Sequence, residues 1–135
     1  MCLSSIKGPF KAKKDFVVYK HIINDGRGYF TSFRRAKIEI GKTYESELTV
    51  DFRVDWSLEN SKYSVVETGL HSYVNFEDAN EQAVHFKEVL VKCIVPKGSI
   101  YYTGKFASRP SIASDTLTYV KELKKVRKRP LIVQF

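Results

Sequence analysis

Two of the three histidines lie in strand-like sequence, where an imidazole can bind or titrate near neutral pH. The run FVVYKHII (16–23) puts His21 on the same strand face as Tyr19. The run GLHSY (69–73) puts His71 beside Ser72 and two residues before Tyr73. If these strands adjoin, the side chains make a polar cluster able to hold a ligand; the plainer alternative is a pair of ordinary half-buried histidines. His85 has no partner at metal-ligand spacing, and no Cys-x-x-Cys or His-x-x-x-His pair occurs in the chain, so no metal site is expected.

The second chemistry the residues offer is anion binding. Gly26-Arg27-Gly28, followed by Arg34 and Arg35, and the turn Lys97-Gly98 combine glycines, which let backbone N–H groups approach an anion, with cations. Neither matches a P-loop or a dinucleotide fingerprint, and plain turns are the default for both. Tyr29, Phe30, Phe33, Tyr101 and Tyr102 add force, because bases stack on aromatics while phosphates meet cations. The ligand-binding set read from the sequence is therefore Tyr19, His21, Arg27, Arg34, Arg35, His71, Ser72, Lys97 and Tyr101. Near the C-terminus, KELKKVRKR (121–129) carries six basic side chains and one acidic, so it holds five of the chain's eight net positive charges. Lys124, Lys125, Arg127, Lys128 and Arg129 there suit nucleic acid or another anionic surface, or simply form a solvated end. Cys2, if exposed as an amino-terminal residue, has the chemistry of a nucleophile with its own amine as base; an inert thiol is the simpler expectation.

These groups need elements to place them. Alternation in VLVKCIV (89–95) predicts a buried strand, and the run after Pro96-Lys97-Gly98 predicts another. Between Asn75, a good N-cap, and the strand at Val89, the spacing of Phe76, Ala79, Ala83 and Phe86 predicts a helix over 76–86. Strand pieces are expected near 29–33, 36–40 and 63–67, with a peripheral strand or hairpin arm over 43–54 and a loop around Trp56. ASRPSIASD (107–115) reads as a loop. TLTYVKE (116–122) favours a strand over a helical stripe, and LIVQF (131–135) is a strand if it finds a sheet edge.

With 135 residues, 43% of them hydrophobic, there is room for one core and no reason for two domains. The expectation is a single α+β domain over 16–135, a twisted and mostly antiparallel sheet with one main short helix, preceded by a basic arm over 1–15 that is mobile or wraps the domain. No signal-peptide core or membrane-spanning run is visible, and two cysteines make no disulfide framework, so a soluble cytoplasmic protein without membrane contact is expected. A net charge of +8 favours an anionic partner.

The segments VVYKHI, KIEIGKTY, GLHSYVNFEDA, VLVKCIVPKGSIYYTG and ASDTLTYVK, with the start MCLSS, resemble uncharacterised small proteins of bacteria and their phages. That resemblance implies a bacterial or phage role in host interaction or defence and brings no activity with it. More remotely, a Gly-containing strand leading into a short Ala-bearing helix and a core strand is similar to the ADP-ribosyltransferase fold of the poly(ADP-ribose) polymerase type. That likeness implies NAD as cofactor, His21 on the nicotinamide ribose, Tyr73 stacked on the nicotinamide and Glu122 polarising the ribose, although the usual His-Gly pair is missing. The leading expectation is a binding module, without cofactor, for a nucleotide, a nucleotide-derived signal or nucleic acid. The alternatives are the NAD-using enzyme and a protein-interaction module with an acidic partner.

Overall fold

The computed structural model describes residues 3–32, 36–55 and 61–126. Its elements are β1 (Ser4–Lys11), β2 (Phe16–Asn24), β3 (Tyr29–Thr31), β4 (Lys37–Ile38), β5 (Thr43–Glu45), β6 (Thr49–Asp55), β7 (Ser61–Thr68), β8 (Leu70–Tyr73), α1 (Phe76–Gln82), β9 (Glu88–Val95), β10 (Ile100–Phe106), β11 (Arg109–Ser114) and β12 (Thr116–Leu123). Ten strands form one sheet in the order β1-β10-β11-β8-β2-β9-β12-β5, with β3 and β4 continuing from β2; β6 and β7 pair separately. Every recorded pairing is antiparallel. With seven helical residues among those described, the architecture is predominantly β rather than an even mixture of α and β.

The two central strands show why the sheet forms. In β2 and β9 the register pairs Val18 with Cys93, Lys20 with Val91 and Ile22 with Val89, so one face of both strands carries, apart from Lys20, β-branched and small apolar side chains. That face makes the largest core cluster, in which Val18, Ile22, Val91, Cys93, Val95, Ile112, Leu117 and Tyr119 are buried together. Cys93 is enclosed, and burial pushes its thiol up to about 12, which leaves it without thiolate at neutral pH. On the reverse face α1 covers Tyr73 and Leu90 with Ala79 and Ala83.

The helix is shorter than the spacing predicts. It ends at Gln82, Ala83 leaves helical geometry with ψ of 66°, and Phe86 is exposed rather than packed as a fourth apolar contact. Lys125 helps to fix this end: its amine donates to the carbonyl of Ala83 at 3.4 Å and to that of His85 at 3.1 Å, just beyond the last helical residue. Asn75 occupies the cap position, but its amide donates to the Asp78 carboxylate at 3.2 Å instead of its side chain accepting from the helix backbone.

One segment departs from expectation and another follows one of its two alternatives. Residues 107–115, read as a loop, contain β11, which is paired on both sides and buries Ser111, Ile112, Ala113 and Ser114. Small side chains fit a strand pressed between two neighbours, and Pro110 sits ahead of the β8 pairing, where its missing N–H leaves no ladder bond unmade. Residues 1–15, read as a basic arm that is mobile or wraps the domain, take the second course: they contribute edge strand β1, whose pairing with β10 shifts register twice. Ahead of it, Leu3 is fully buried with Val66 and Ala113 and exchanges backbone hydrogen bonds with Val66 at 3.1 and 2.9 Å. A Cβ on Gly104 would stand 2.5 Å from the Ser4 carbonyl oxygen, so glycine is what lets the two strands approach there.

Candidate functional site

The histidines and tyrosine singled out in the sequence do come to one face of the sheet, but packed rather than open. Odd-numbered residues of β2 face α1, and Tyr19 pairs with Tyr73 across β8. The His21 ring stacks on Tyr73 with centroids 5.9 Å apart and 26° between planes. Its Nδ1 lies 2.6 Å from Glu88 Oε2 and 3.2 Å from Ser32 Oγ, whose hydroxyl donates back to the His21 carbonyl. Burial lowers the His21 pKa; the Glu88 charge pulls it upward and the Lys20 charge downward. His71 donates from Nδ1 to the Gly69 carbonyl at 3.2 Å, while its buried Nε2 makes no well-formed hydrogen bond among the described residues. Burial, helped by the Lys20 charge, lowers its pKa to about 4. Burial also raises Tyr73 to about 12. Tyr73, 2% exposed, lies beneath the helix, whereas His71, 7% exposed, is buried opposite Ala113 of β11, so neither presents an open polar surface.

The remaining expected ligands are dispersed. Ser72 is buried facing the other way, beside Ile112. Tyr101 packs edge-on against Phe16 at 5.1 Å and tilts against Phe10 at 5.6 Å, so its ring belongs to the core boundary. Arg27 is exposed on the turn after β2, with its N–H bonded to Asp25 Oδ1 at 2.8 Å. Lys97 is exposed on the turn after β9, with its N–H bonded to Asp15 Oδ1 at 2.7 Å. Register places these two turns at opposite ends of β9, whose eight residues extend roughly 23 Å, so one small anion cannot use both. Glu122 pairs with Val91 and accepts from the Tyr29 hydroxyl at 2.9 Å, on the sheet face opposite His21 and Tyr73. The trio His21, Tyr73 and Glu122 is thus divided by the sheet. Arg34, Arg35, Arg127, Lys128, Arg129, Cys2, Trp56 and the LIVQF segment lie outside the described residues. Among the described residues no group of His, Cys, Asp and Glu could hold a metal ion, and no helix is long and apolar enough to cross a membrane.

A different set of cations is brought together. Lys92 of β9 pairs with Tyr19 of β2 on one side and with Lys121 of β12 on the other, making a row Tyr19-Lys92-Lys121 across three strands. A register shift between Tyr119 and Lys121 creates this row. Tyr119 pairs with Cys93 and faces the main core; without the shift Lys121 would face it too, and with the shift Lys121 turns to the opposite side. Lys124 follows at the end of β12 and is exposed. Beside the row, Val17, Ile94 and Thr118 form the next cross-strand line, with Val17 40% exposed, so this part of the sheet is not covered by α1. Neither Lys92 nor Lys121 has a carboxylate within 4.0 Å among the described residues. The sequence holds one signal for this pair, a lysine interrupting the apolar strand VLVKCIV; its partner depends on a register that sequence does not display.

A hollow of about 450 Å3 lies beyond the other end of this face, lined by Glu45, Ser46, Glu47, Asp115 and Thr116. Three carboxylates make it a poor seat for an anion, and Asp115 Oδ1 is already used, accepting from the Ile100 N–H and the Thr116 hydroxyl, each at 3.0 Å. The uncovered sheet face is therefore polar in charge, basic toward the α1 end and acidic toward the far end.

On the main-core face, Lys20 stands between Val18 and Ile22, with its amine 6.0 Å from the Tyr119 ring centroid. It is half-buried, and the protein crowded around its amine lowers its pKa. Replacing it with an apolar chain of similar shape, Lys20→Met, is expected to raise stability at pH 7 by about 1 kcal/mol. The unfolded lysine binds its proton more tightly than the folded one, so wild-type stability climbs as pH rises toward 10.5 and the advantage of the variant shrinks. Urea titrations at pH 7 and 9.5 check this, and a variant less stable than wild type at pH 7 contradicts it.

No protein-family model, curated protein or solved structure matches this chain.

Proposed function

We propose that this protein binds an anionic ligand of the nucleotide or nucleic-acid class on the part of the β2, β9 and β12 face that α1 leaves uncovered, with Lys92 and Lys121 as the phosphate contacts and Tyr19, whose ring packs on Phe76 of α1, at its border. The observation that carries this reading is the pairing of two lysines directly opposite each other, with no carboxylate within 4.0 Å of either among the described residues. Like charges at such positions repel and lower stability. A phosphate between them turns the repulsion into two charge-assisted contacts. The bulge that aims Lys121 at Lys92 is a departure from regular pairing of the kind that gathers at binding sites. The net charge of +8 supplies the long-range attraction.

The double variant Lys92→Gln/Lys121→Gln tests this by thermal shift with inorganic tripolyphosphate and a short oligonucleotide. Without ligand it is expected to be at least as stable as wild type, because the repulsion is gone. With ligand at about a hundred times its Kd, wild type gains roughly 2.7 kcal/mol and the variant much less. Equal ligand-induced stabilisation of both proteins contradicts the proposal.

A further inference from the structure

We infer that the ligand is a single-stranded nucleic acid, with one unpaired base stacked on Phe86; this deepens the anion-binding reading and rests on it. Phe86 is 73% and Val84 83% exposed on the loop that follows α1. A phenyl ring so exposed is normally mobile and is costly to leave in water. Here it is held. The His85 ring stacks on it with centroids 4.7 Å apart and 26° between planes. The loop is fastened by hydrogen bonds from the Glu88 N–H to the His85 carbonyl at 2.9 Å and from the Lys87 N–H to His85 Nδ1 at 3.2 Å. Lys125 grips the same loop through the His85 carbonyl. A ring fixed in an exposed position has already lost the freedom that binding would otherwise remove, which is the property of a stacking platform.

Position links this ring to the lysine row. The loop follows a helix packed on the Tyr19 face, and Lys125 and the Asn80 side chain, which bonds both the N–H and the carbonyl of Val126 at 3.0 and 2.6 Å, fasten the end of β12 beside it. From Lys92 to Glu88 the strand advances roughly 13 Å, with Lys124 following Lys121 toward the same end. That distance suits a run of linked phosphates more than a lone nucleotide. The Lys87 amine, 5.8 Å from the Phe86 centroid, rides on a flexible stem and can swing from the ring to the phosphate next to a stacked base. Carboxylates near the path already have partners: Asp78 and Glu81 with Arg109 at 3.9 and 2.7 Å, Glu88 with His21 through one oxygen and with the His85 N–H at 3.3 Å through the other, and Glu122 on the reverse face with Tyr29. Glu77 is exposed at the start of α1, away from the loop. A duplex hides its base faces inside the stack, so an aromatic platform selects unpaired strands.

Fluorescence anisotropy on the full-length protein tests the inference, using labelled dT12, rU12 and a dT12–dA12 duplex at several salt concentrations, with tripolyphosphate as competitor. Phe86→Ala, at a position exposed enough to leave the fold intact, is expected to weaken dT12 and rU12 binding roughly tenfold at every salt concentration with the salt slope unchanged. Phe86→Trp restores binding. Lys92→Gln/Lys121→Gln lowers the slope by about 1.4. If Phe86→Ala binds like wild type while the lysine pair still matters, or if the duplex binds as tightly as the single strand, the stacking inference is overturned and the anion-binding reading stands. If wild type binds none of the anions, both fall.

Discussion

Acidification from pH 6.5 to pH 4 is expected to remove about 3 kcal/mol of stability through His71 alone. Its pKa is about 4 in the folded protein against an ordinary value of 6.5. Above pH 6.5 the imidazole is neutral in both states and contributes no pH dependence. As pH falls below 6.5 the unfolded chain takes up a proton that the folded chain refuses, and the loss accumulates until about pH 4, where the folded form protonates too. The gap between 6.5 and about 4, at about 1.4 kcal/mol per pH unit, gives about 3.5 kcal/mol in full, of which about 3 is lost by pH 4, where the folded form is half protonated. His21, also lowered by burial, adds loss in the same direction. His71→Asn keeps a donor for the Gly69 carbonyl but cannot titrate, so its stability should fall less steeply across this window. Urea unfolding at pH 7, 5.5 and 4 measures both slopes; parallel curves for wild type and variant would contradict the account of His71.

The second large effect lies at the other end of the chain. Leu3→Ala is expected to destabilise the protein by about 3 kcal/mol, because the side chain is fully buried between the sheet and the β6–β7 hairpin, where the remaining atoms cannot close the gap. Phe10→Ala, at an exposed position on β1, should cost far less. A mobile arm would give small effects at both positions, so equal and small losses in equilibrium unfolding would return residues 1–11 to that description.

What could be read beforehand follows from what each segment says about its own surroundings. β2, β9 and β12 carry β-branched and aromatic residues, so their strand character is local and legible. β11 is built from Arg, Pro, Ser, Ile and Ala, and its place between β10 and β8 comes from partners remote in sequence. β1 is basic and lacks regular alternation, which hides a strand held by one buried leucine before it and by Gly104 opposite. The helix showed its start and its Ala79 and Ala83 contacts; its end depends on a lysine some forty residues later.

The site divides in the same way. Alternation alone places Tyr19 and His21 together on β2, and the structure adds Tyr73 to that face. Their burial beneath α1 required knowing where the helix lands. Glu122 and Lys121 are neighbours in sequence, yet a single extra residue decides which face each one serves. The sequence therefore offers cations and aromatic rings without displaying which of them meet, because the pairing of Lys92 with Lys121 is set by the register between β9 and β12.

The most direct test of that meeting point is a nuclear magnetic resonance titration of the full-length protein with tripolyphosphate, following backbone amides and lysine side-chain signals. The account predicts that the largest shifts fall on Lys92, Lys121 and Tyr19, with little change at Glu45, Glu47 and Asp115. Shifts centred on the Arg27 or Lys97 turns, with Lys92 and Lys121 unmoved, would contradict it.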